Sequence, residues 1–147
     1  MDARAGIAAF AAMAGAVRSL ADVPSQAATL AAPRLSALLD QEFVTMTSPY
    51  GTPWEPLTAS TLARKRANKT KILQRTRDMR RGLSVKPAQR SGMTMTSSHG
   101  YLAFHQLGTR HMAQRVVLPT GVLPPTWRSA IARSVDEAAR KALAKSA

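Results

Sequence analysis

The sequence predicts an α+β fold in which amphipathic helices at both ends pack on a small antiparallel sheet. Apolar residues recur at helical spacing from residue 3 to residue 46 and again from residue 127 to residue 142. Between these regions, Leu83 to Val85 and Met93 to Met95 alternate apolar with polar residues around a Pro- and Gly-containing segment, which is typical of a β-hairpin. The 147 residues are enough for one such domain.

The N-terminal pattern predicts two helices. The first runs from about Ala3 to Ala21 and presents one apolar face, made of Ile7, Phe10, Ala11, Ala14 and Val17. The second begins near Ser25, and Pro33 either kinks it or marks its true start. Its apolar positions keep the i, i+3, i+4 spacing: Leu35, Leu38, Leu39, Phe43 and Met46. Both helices are therefore expected to face the core.

The apolar stretch from Ile7 to Val17 follows Arg4 and contains small residues, which also fits a secretory signal. Asp2 and the helical periodicity favour an amphipathic helix instead, because a signal core needs no such face. No apolar run approaches the roughly twenty residues of a membrane span. We therefore expect a soluble cytoplasmic product that contacts no membrane.

The centre of the chain combines loop signals with a dense run of cations. Two prolines and a glycine fall within residues 48–53, and a short helix follows with Thr58 or Ser60 as its N-cap. Residues 64–71 are too basic to bury, so we expect them to be exposed or bound to a partner, and we expect one more helical turn within residues 72–81.

The C-terminal part contains a short mixed segment and the clearest helix. Gly108 ends the segment that begins at Tyr101, and Arg115 to Leu118 is expected to form a third strand. Pro124 and Pro125 then introduce a helix. Its apolar stripe consists of Trp127, Ala130, Ile131, Val135, Ala138 and Ala142. Two i, i+4 ion pairs should support this helix, Asp136 with Arg140 and Glu137 with Lys141.

We treat residues 1–147 as a single domain with three parts. These are a helical N-terminal part (1–47), a loop-rich basic segment (48–81) and a C-terminal part with the hairpin, the mixed segment and the last helix (82–147). Alanine supplies much of the apolar content, so an isolated monomer should bury only a small core. Its stability should therefore depend on contacts with neighbouring subunits. Residues 46–56 and 64–81 lack an apolar pattern, so we expect them to become ordered on assembly.

The net charge of +13 is concentrated in the middle of the chain. The stretch from Pro56 to Val135 contains fifteen Lys and Arg residues but only one acid, Asp78. Such a field attracts nucleic acid or acidic protein surfaces. Aromatic residues do not interleave with these cations, so stacking on nucleic-acid bases is poorly supported. A solvated face, or a loop docked on an acidic neighbouring protein, is favoured over DNA contact. The candidate contact residues are Arg64, Lys65, Arg66, Lys69, Lys71, Arg75, Arg77, Arg80 and Arg81.

The reactive residues do not form the pattern of an enzyme. The chain has no cysteine, and its three histidines, His99, His105 and His111, have a spacing that matches no zinc motif. The eight acids form no obvious general acid and base couple, and no nucleophile elbow or phosphate-binding glycine loop is present. We expect no catalytic residue, no cofactor and no metal site, and we expect Asp78 to be a salt-bridge partner.

The two tryptophans carry different expectations. Trp127 lies on the apolar stripe of the last helix and is expected in the core. Trp54 lies between two prolines in a loop, so core packing and an interface role are equally open.

Several segments in this order resemble the phage virion morphogenesis (tail completion) family: Trp54-Glu55-Pro56-Leu57, Thr61 to Lys65, Ile72-Leu73-Gln74, Tyr101 to Thr109, and Leu123 to Ala130. The resemblance runs from residue 54 to the C-terminus, and its most specific part is Tyr101-Leu102-Ala103-Phe104-His105-Gln106-Leu107-Gly108-Thr109. The chain departs from the family at three places. The family usually has Thr-Gly at Thr76-Arg77, Phe at Leu107 and Ala-Arg-Pro-Phe-Leu within residues 113–118.

The resemblance implies a ring-forming structural subunit of the virion, made in the bacterial host cytoplasm and located in the neck or at the head-proximal end of the tail. The partners would be further copies of the chain, first as a hexamer and second as a dodecamer, the adjoining neck and tail proteins, and the DNA backbone passing through the ring. The rival hypotheses are a basic, non-specific DNA-binding accessory protein and a secreted or enzymatic product. The interface or structural residues would be Trp54, Leu57, Lys65, Tyr101, His105, Gln106, Gly108, Thr109 and Trp127.

Within the Tyr101 to Thr109 motif, each residue type suggests a structural role. The spacing of Tyr101, Phe104 and Leu107 predicts a side that faces the core. His105 and Gln106 are placed to hydrogen-bond across the next connection or the next subunit. Gly108 would make the turn that only glycine makes without strain.

Overall fold

The computed structural model of the protein describes residues 3–88 and 92–145, with side chains from residue 11 onward. Within these ranges the chain forms two long N-terminal helices, two short helices, a β-hairpin, another short helix and a long last helix. Their bounds are α1 Ala3–Ala21, α2 Val23–Thr45, α3 Ala59–Arg64, α4 Asp78–Gly82, β1 Leu83–Pro87, β2 Met93–Ser97, α5 Leu102–Leu107 and α6 Pro125–Ala144. The predicted α+β class is confirmed.

The centre of the fold is the antiparallel pair of α2 and α6. The Arg34 guanidinium of α2 donates to Ser134 Oγ at 2.7 Å and pairs with the Glu137 carboxylate at 2.7 Å, both on α6. Trp127, which is 1% exposed, fills the space between these helices and the hairpin. It packs in one cluster with Ala32, Leu35, Leu39 and Val85. The core position predicted for Trp127 is therefore confirmed.

Glu42 of α2 is an ionisable group inside this packed region. The residue is 6% exposed, and neither carboxylate oxygen has a hydrogen-bond partner among the described residues. Burial raises the pKa of Glu42 from 4.5 to about 8, and the Trp127 side chain offsets part of that shift although its contact falls outside hydrogen-bond geometry. At neutral pH the group is therefore mainly a neutral carboxylic acid.

Pro33 lies inside α2 and does not start it. The proline ring lacks the N–H that would bond the carbonyl of Thr29, four residues earlier. Both residues are exposed, so water can reach the freed carbonyl and the helix continues. The apolar positions predicted beyond Pro33 are all buried or half-buried, which confirms the core-facing side of this helix.

A second hydrophobic cluster is built largely from loops. Trp54 and Phe43 meet edge to face with their ring centroids 5.3 Å apart, and the remaining members are Ile72, Met79, Leu102 and Val117. The segments 46–56 and 64–81 thus contribute buried side chains to the core of the monomer. The sequence shows no apolar pattern in them because their anchors are isolated single residues and not a periodic series, and their ordering on assembly stays a prediction.

Helix α1 differs from its prediction as a core-facing helix. It lies chiefly against α6. Among its described side chains, the apolar ones are largely open, with Met13 61% exposed, Val17 63% and Leu20 41%. The predicted face residues Ile7 and Phe10 lie outside the described side chains. None of the described helices is long and apolar enough to cross a membrane.

The predicted hairpin is confirmed, with β1 antiparallel to β2 and Val85 paired with Met95. Residues 89–91 of its connection lie outside the described residues. The last helix is confirmed together with both ion pairs, Asp136 with Arg140 at 3.0 Å and Glu137 with Lys141 at 2.7 Å. Val135 is the exception on the predicted stripe, because it is 43% exposed.

The predicted third strand, Arg115 to Leu118, is wrong. The segment pairs with no strand among the described residues, and side chains make several of its backbone hydrogen bonds. Gln106 Oε1 accepts from the backbone N–H groups of Val117 at 2.8 Å and Leu118 at 2.9 Å, and its Nε2 donates to the Leu118 carbonyl at 2.7 Å. The indole of Trp54 donates to the Val116 carbonyl at 2.8 Å. Side chains therefore take several of the backbone hydrogen bonds that a strand partner would make.

Candidate interaction groove

Four of the motif segments meet around one open groove of about 990 Å³. Residues 55–58, helix α3 with Lys65, residues 73–79 and the start of the Tyr101 to Thr109 segment all contribute to its walls, and residues 111–115 complete them. The apolar side chains on these walls are Pro56, Leu57, Leu73, Met79, Tyr101, Met112 and Ala113. The sequence therefore brings distant motif residues to one place.

The buried side chain of Lys65 holds the basic segment together through hydrogen bonds to its backbone. It is 7% exposed, and its ammonium donates to the carbonyl of Asn68 at 2.6 Å and to the carbonyl of Lys71. Burial lowers the pKa of this amine, and the carbonyl oxygens compensate for the lost water. The prediction that this residue is exposed or partner-bound is therefore wrong. The lysine that ends the Thr61 to Lys65 motif segment therefore stabilises its own loop.

Three residues in and after this loop adopt left-handed backbone conformations that are rare for non-glycine residues. Asn68 has φ 48°, Leu73 has φ 56° and Arg77 has φ 64°. Their neighbours hold them there, since Asn68 Nδ2 donates to the Gln74 carbonyl at 3.0 Å and Gln74 Nε2 donates to the Phe43 carbonyl at 2.6 Å. The Ile72-Leu73-Gln74 segment thus fixes the loop to α2.

Arg77 stands where the family usually has glycine, and its positive φ gives the physical reason for that preference. We expect Arg77→Gly to raise the free energy of unfolding by about 0.5–1 kcal/mol, because relief of the left-handed strain exceeds the entropy that glycine adds to the unfolded chain. Urea denaturation measures this change. Arg75→Gly, two residues earlier, is the control, and an equal gain there would contradict the explanation.

Arg115 ties the groove wall to the loop that follows Trp54. It is 8% exposed, and its guanidinium donates to the carbonyls of Glu55 at 2.9 Å and Pro56 at 3.1 Å. Its backbone N–H donates to the His105 carbonyl at 2.7 Å. Burial and the Arg115 charge lower the pKa of His105, so this histidine is neutral at pH 7, and its Nδ1 is buried without a partner among the described residues.

The exposure of three side chains at α5 contradicts the prediction that this side of the motif faces the core. Tyr101 is 41% exposed, Phe104 56% and Leu107 76%, whereas Leu102 between them is buried. The spacing correctly places the three residues on one side of the helix. That side faces away from the core, because the Gln106 side chain holds the other side against residues 117–118. The cross-connection hydrogen bonds predicted for Gln106 are confirmed.

Gly108 follows α5 with φ 73° and ψ 168°, a combination that is almost restricted to glycine. A β-carbon built on it would lie 3.1 Å from Gln114 Cβ and 3.2 Å from Gln114 N. We expect Gly108→Val to lower the free energy of unfolding by about 1–3 kcal/mol, since strain and crowding add. Thermal unfolding of the purified protein measures the loss. Gly51→Val, with φ 83° but no atom within 4 Å, separates the two causes.

A model of the phage virion morphogenesis family matches residues 8–144. The chain belongs to this family. The match covers the motif segments that the sequence pointed to and also α1 and α2, where no diagnostic motif was found. No curated protein and no solved structure gives a significant match. Family membership gives the chain a structural, tail-related role in the phage virion.

The candidate contact cations of this virion morphogenesis protein divide into two groups. Three already have intramolecular partners: Lys65 bonds carbonyls, Arg80 pairs with Asp40 at 2.8 Å, and Arg81 pairs with Asp78. The salt-bridge role predicted for Asp78 is thus confirmed. The other six are exposed and make no side-chain hydrogen bond or ion pair within the described ranges: Arg64, Arg66, Lys69, Lys71, Arg75 and Arg77.

The groove brings together Leu57, Lys65, Tyr101 and His105 from the predicted interface set. The others lie elsewhere. Trp54 is 4% exposed and belongs to the loop cluster, Gln106 and Gly108 support the wall behind the groove, Thr109 closes a tight turn with Met112, and Trp127 lies in the α2–α6 cluster.

Sequence reasoning about this virion morphogenesis protein missed the role of two residues. Arg115 holds the groove wall, and the arginine in the family's Ala-Arg-Pro-Phe-Leu run was the available signal. The hydroxyl of Tyr50 accepts from the Thr120 N–H at 3.0 Å and lies 2.6 Å from the Thr120 carbonyl, so it ties two loops together. Nothing in the spacing of Tyr50 indicated that contact.

Proposed function

We propose that this protein completes the tail or joins head to tail as a subunit of a homomeric ring in the neck or at the head-proximal end of the tail. The family match over residues 8–144 is the observation that carries the proposal. Lys65 and Arg115 in the groove wall and Gln106 behind it support a structural role, because their side chains bond backbone atoms and thereby fix the shape of the wall.

A ring requires two different surfaces on each subunit, since copies related by rotation meet head to tail. Among the exposed apolar side chains of the described residues, two sets of three are used for this proposal. One is the α1 face, defined as Met13, Val17 and Leu20, and the other is the α5 face, defined as Tyr101, Phe104 and Leu107. We place the α1 face of one subunit against the α5 face of the next, with a hexamer as the first choice and a dodecamer as the second.

A mixing experiment tests this arrangement. Val17→Glu should remove the α1 face and Phe104→Glu the α5 face, so each variant alone should remain monomeric in sedimentation. An equimolar mixture keeps one intact interface and should form a heterodimer. Leu143→Glu, at an exposed apolar position on α6, is the control and should leave the assembly unchanged. A mixture that stays monomeric contradicts the head-to-tail arrangement.

Complementation tests the role itself. A phage lacking this gene should produce separate heads and tails, or tails without a finished end, and the wild-type gene should restore joined particles in electron micrographs. Val17→Glu and Phe104→Glu should each fail to restore them. Joined, infectious virions in the absence of the protein would contradict the proposed function.

The six exposed cations favour a second candidate, a non-specific DNA-binding accessory protein, and they would also suit DNA passing through a ring. We expect any DNA binding to weaken steeply with salt, because it would rest on phosphate contacts and counterion release. Unrelated duplexes should compete within about tenfold of one another. A preference above about a hundredfold for one sequence would indicate a DNA reader and not a virion subunit.

A further inference from the structure

The groove has the mixed chemistry of a peptide-binding site. Its walls carry the half-buried side chains of Leu57, Leu73 and Met112, with the half-exposed ring of Tyr101 beside them. Arg64 and Arg75 also line it, and their guanidinium groups have no partner within the described ranges. An occupant of this groove would therefore need both apolar side chains and negative charge.

A second copy of the chain is poorly suited to supply that charge. Of its eight acids, Asp40, Asp78, Asp136 and Glu137 already pair with cations of the same molecule. Glu42 is buried. Glu55 lines the groove itself, Asp22 lies at the start of α2, and Asp2 is outside the described residues. A ring of copies carrying +13 each needs counter-charge from a different molecule.

Nucleic acid fits the groove less well than a peptide does. A phosphate backbone offers no apolar group to cover Leu57, Leu73 and Met112. The exposed cations outside the groove, such as Arg66 and Lys69, are better placed for phosphates.

We propose that the groove binds an acidic, extended segment of an adjoining virion protein, with aliphatic side chains between Leu57, Leu73 and Met112 and carboxylates on Arg64 and Arg75. This inference rests on the proposed function, because it requires a neighbour in the neck or tail. The segment would connect the ring to that neighbour, while the α1 face and the Phe104 and Leu107 side chains of the α5 face join the copies within the ring.

Fluorescence anisotropy with a labelled peptide tests the groove in the full-length protein. The probe has central leucines between short runs of glutamate, and two control peptides replace the leucines by serine or the glutamates by lysine. We expect saturable binding of the probe, weaker binding of the serine peptide and none of the lysine peptide. Absence of saturable binding of the probe to the wild-type protein overturns the proposal.

Charge reversal locates the site. Arg64→Glu combined with Arg75→Glu should weaken probe binding by about tenfold or more, whereas the matched pair Arg66→Glu with Lys69→Glu, which lies outside the groove, should change it less than about threefold. Circular dichroism confirms that both variants fold. Equal losses in the two variants, or displacement of the probe by a DNA duplex at equal concentration, would show a general electrostatic effect and overturn the proposal.

Complementation separates this inference from the proposed function. If the variant with Arg64→Glu and Arg75→Glu assembles rings but leaves heads and tails unjoined, the groove proposal and the proposed function are both supported. If it binds no probe and still restores infectious virions, the groove proposal falls while the ring role stands. If wild-type protein is not needed for joining, the proposed function falls, and probe binding then still reports on the groove.

Discussion

The free energy of unfolding should fall as the pH rises from about 4.5 to about 8, and Glu42 should be a main cause. Burial raises the pKa of this carboxyl to about 8 in the folded protein. Below pH 4.5 the carboxyl is protonated in both the folded and the unfolded protein. Between pH 4.5 and about 8 the folded protein keeps this proton, whereas the unfolded chain has released it. Stability from this group is therefore present at low pH and is lost as the pH passes through 8.

Glu42→Gln isolates this contribution, because glutamine keeps the shape of the neutral acid and does not titrate. At pH 8 the variant should be more stable than the wild-type protein by roughly 2–4 kcal/mol, and near pH 5 the two should be similar. Urea denaturation at a series of pH values measures the difference. Glu55→Gln, at an exposed carboxylate, is the control. Parallel curves for wild type and Glu42→Gln would mean that the carboxyl is solvated.

Trp54→Ala should lower the free energy of unfolding of the free protein by about 3–5 kcal/mol. The substitution removes the centre of the loop cluster, including the edge-to-face contact with Phe43, and leaves the Val116 carbonyl without its indole donor. Trp54→Phe, which keeps most of the packing and loses the hydrogen bond, should cost about 1–3 kcal/mol.

Phe104→Ala is the matched control for an aromatic side chain at the surface, and it should change stability by less than about 0.5 kcal/mol. Thermal and urea unfolding of the free protein provide both numbers. If Trp54→Ala were harmless in the free protein and damaging only in assembled particles, the interface interpretation of Trp54 would replace the core assignment.

The elements with strong local signals could be predicted from the sequence. Helix α6 has a continuous apolar stripe and two ion pairs, the hairpin alternates around Pro87 and Gly92, and Gly108 ends its helix. In each case the deciding interaction lies within a few residues. The order of the motif segments was enough to indicate the family.

The wrong predictions have another physical cause, which is that contacts outside any periodic pattern decide the outcome. Lys65 is buried because the carbonyls of Asn68 and Lys71 in its own loop replace its water. Residues 115–118 form no strand because the Gln106 and Trp54 side chains take the places of a neighbouring strand. Periodicity alone could not tell which side of α5 faces the core, nor that α1 leaves Val17 open.

The contact between α2 and α6 has a consequence for synthesis on the ribosome. Arg34 meets Ser134 and Glu137, which follow it by 100 and 103 residues, and Trp127 completes the cluster around Leu35. Helix α2 therefore remains without its main packing partner until the α6 segment has left the exit tunnel. Nascent or truncated chains that lack α6 cannot close this core, so only finished subunits would be competent to join a growing particle.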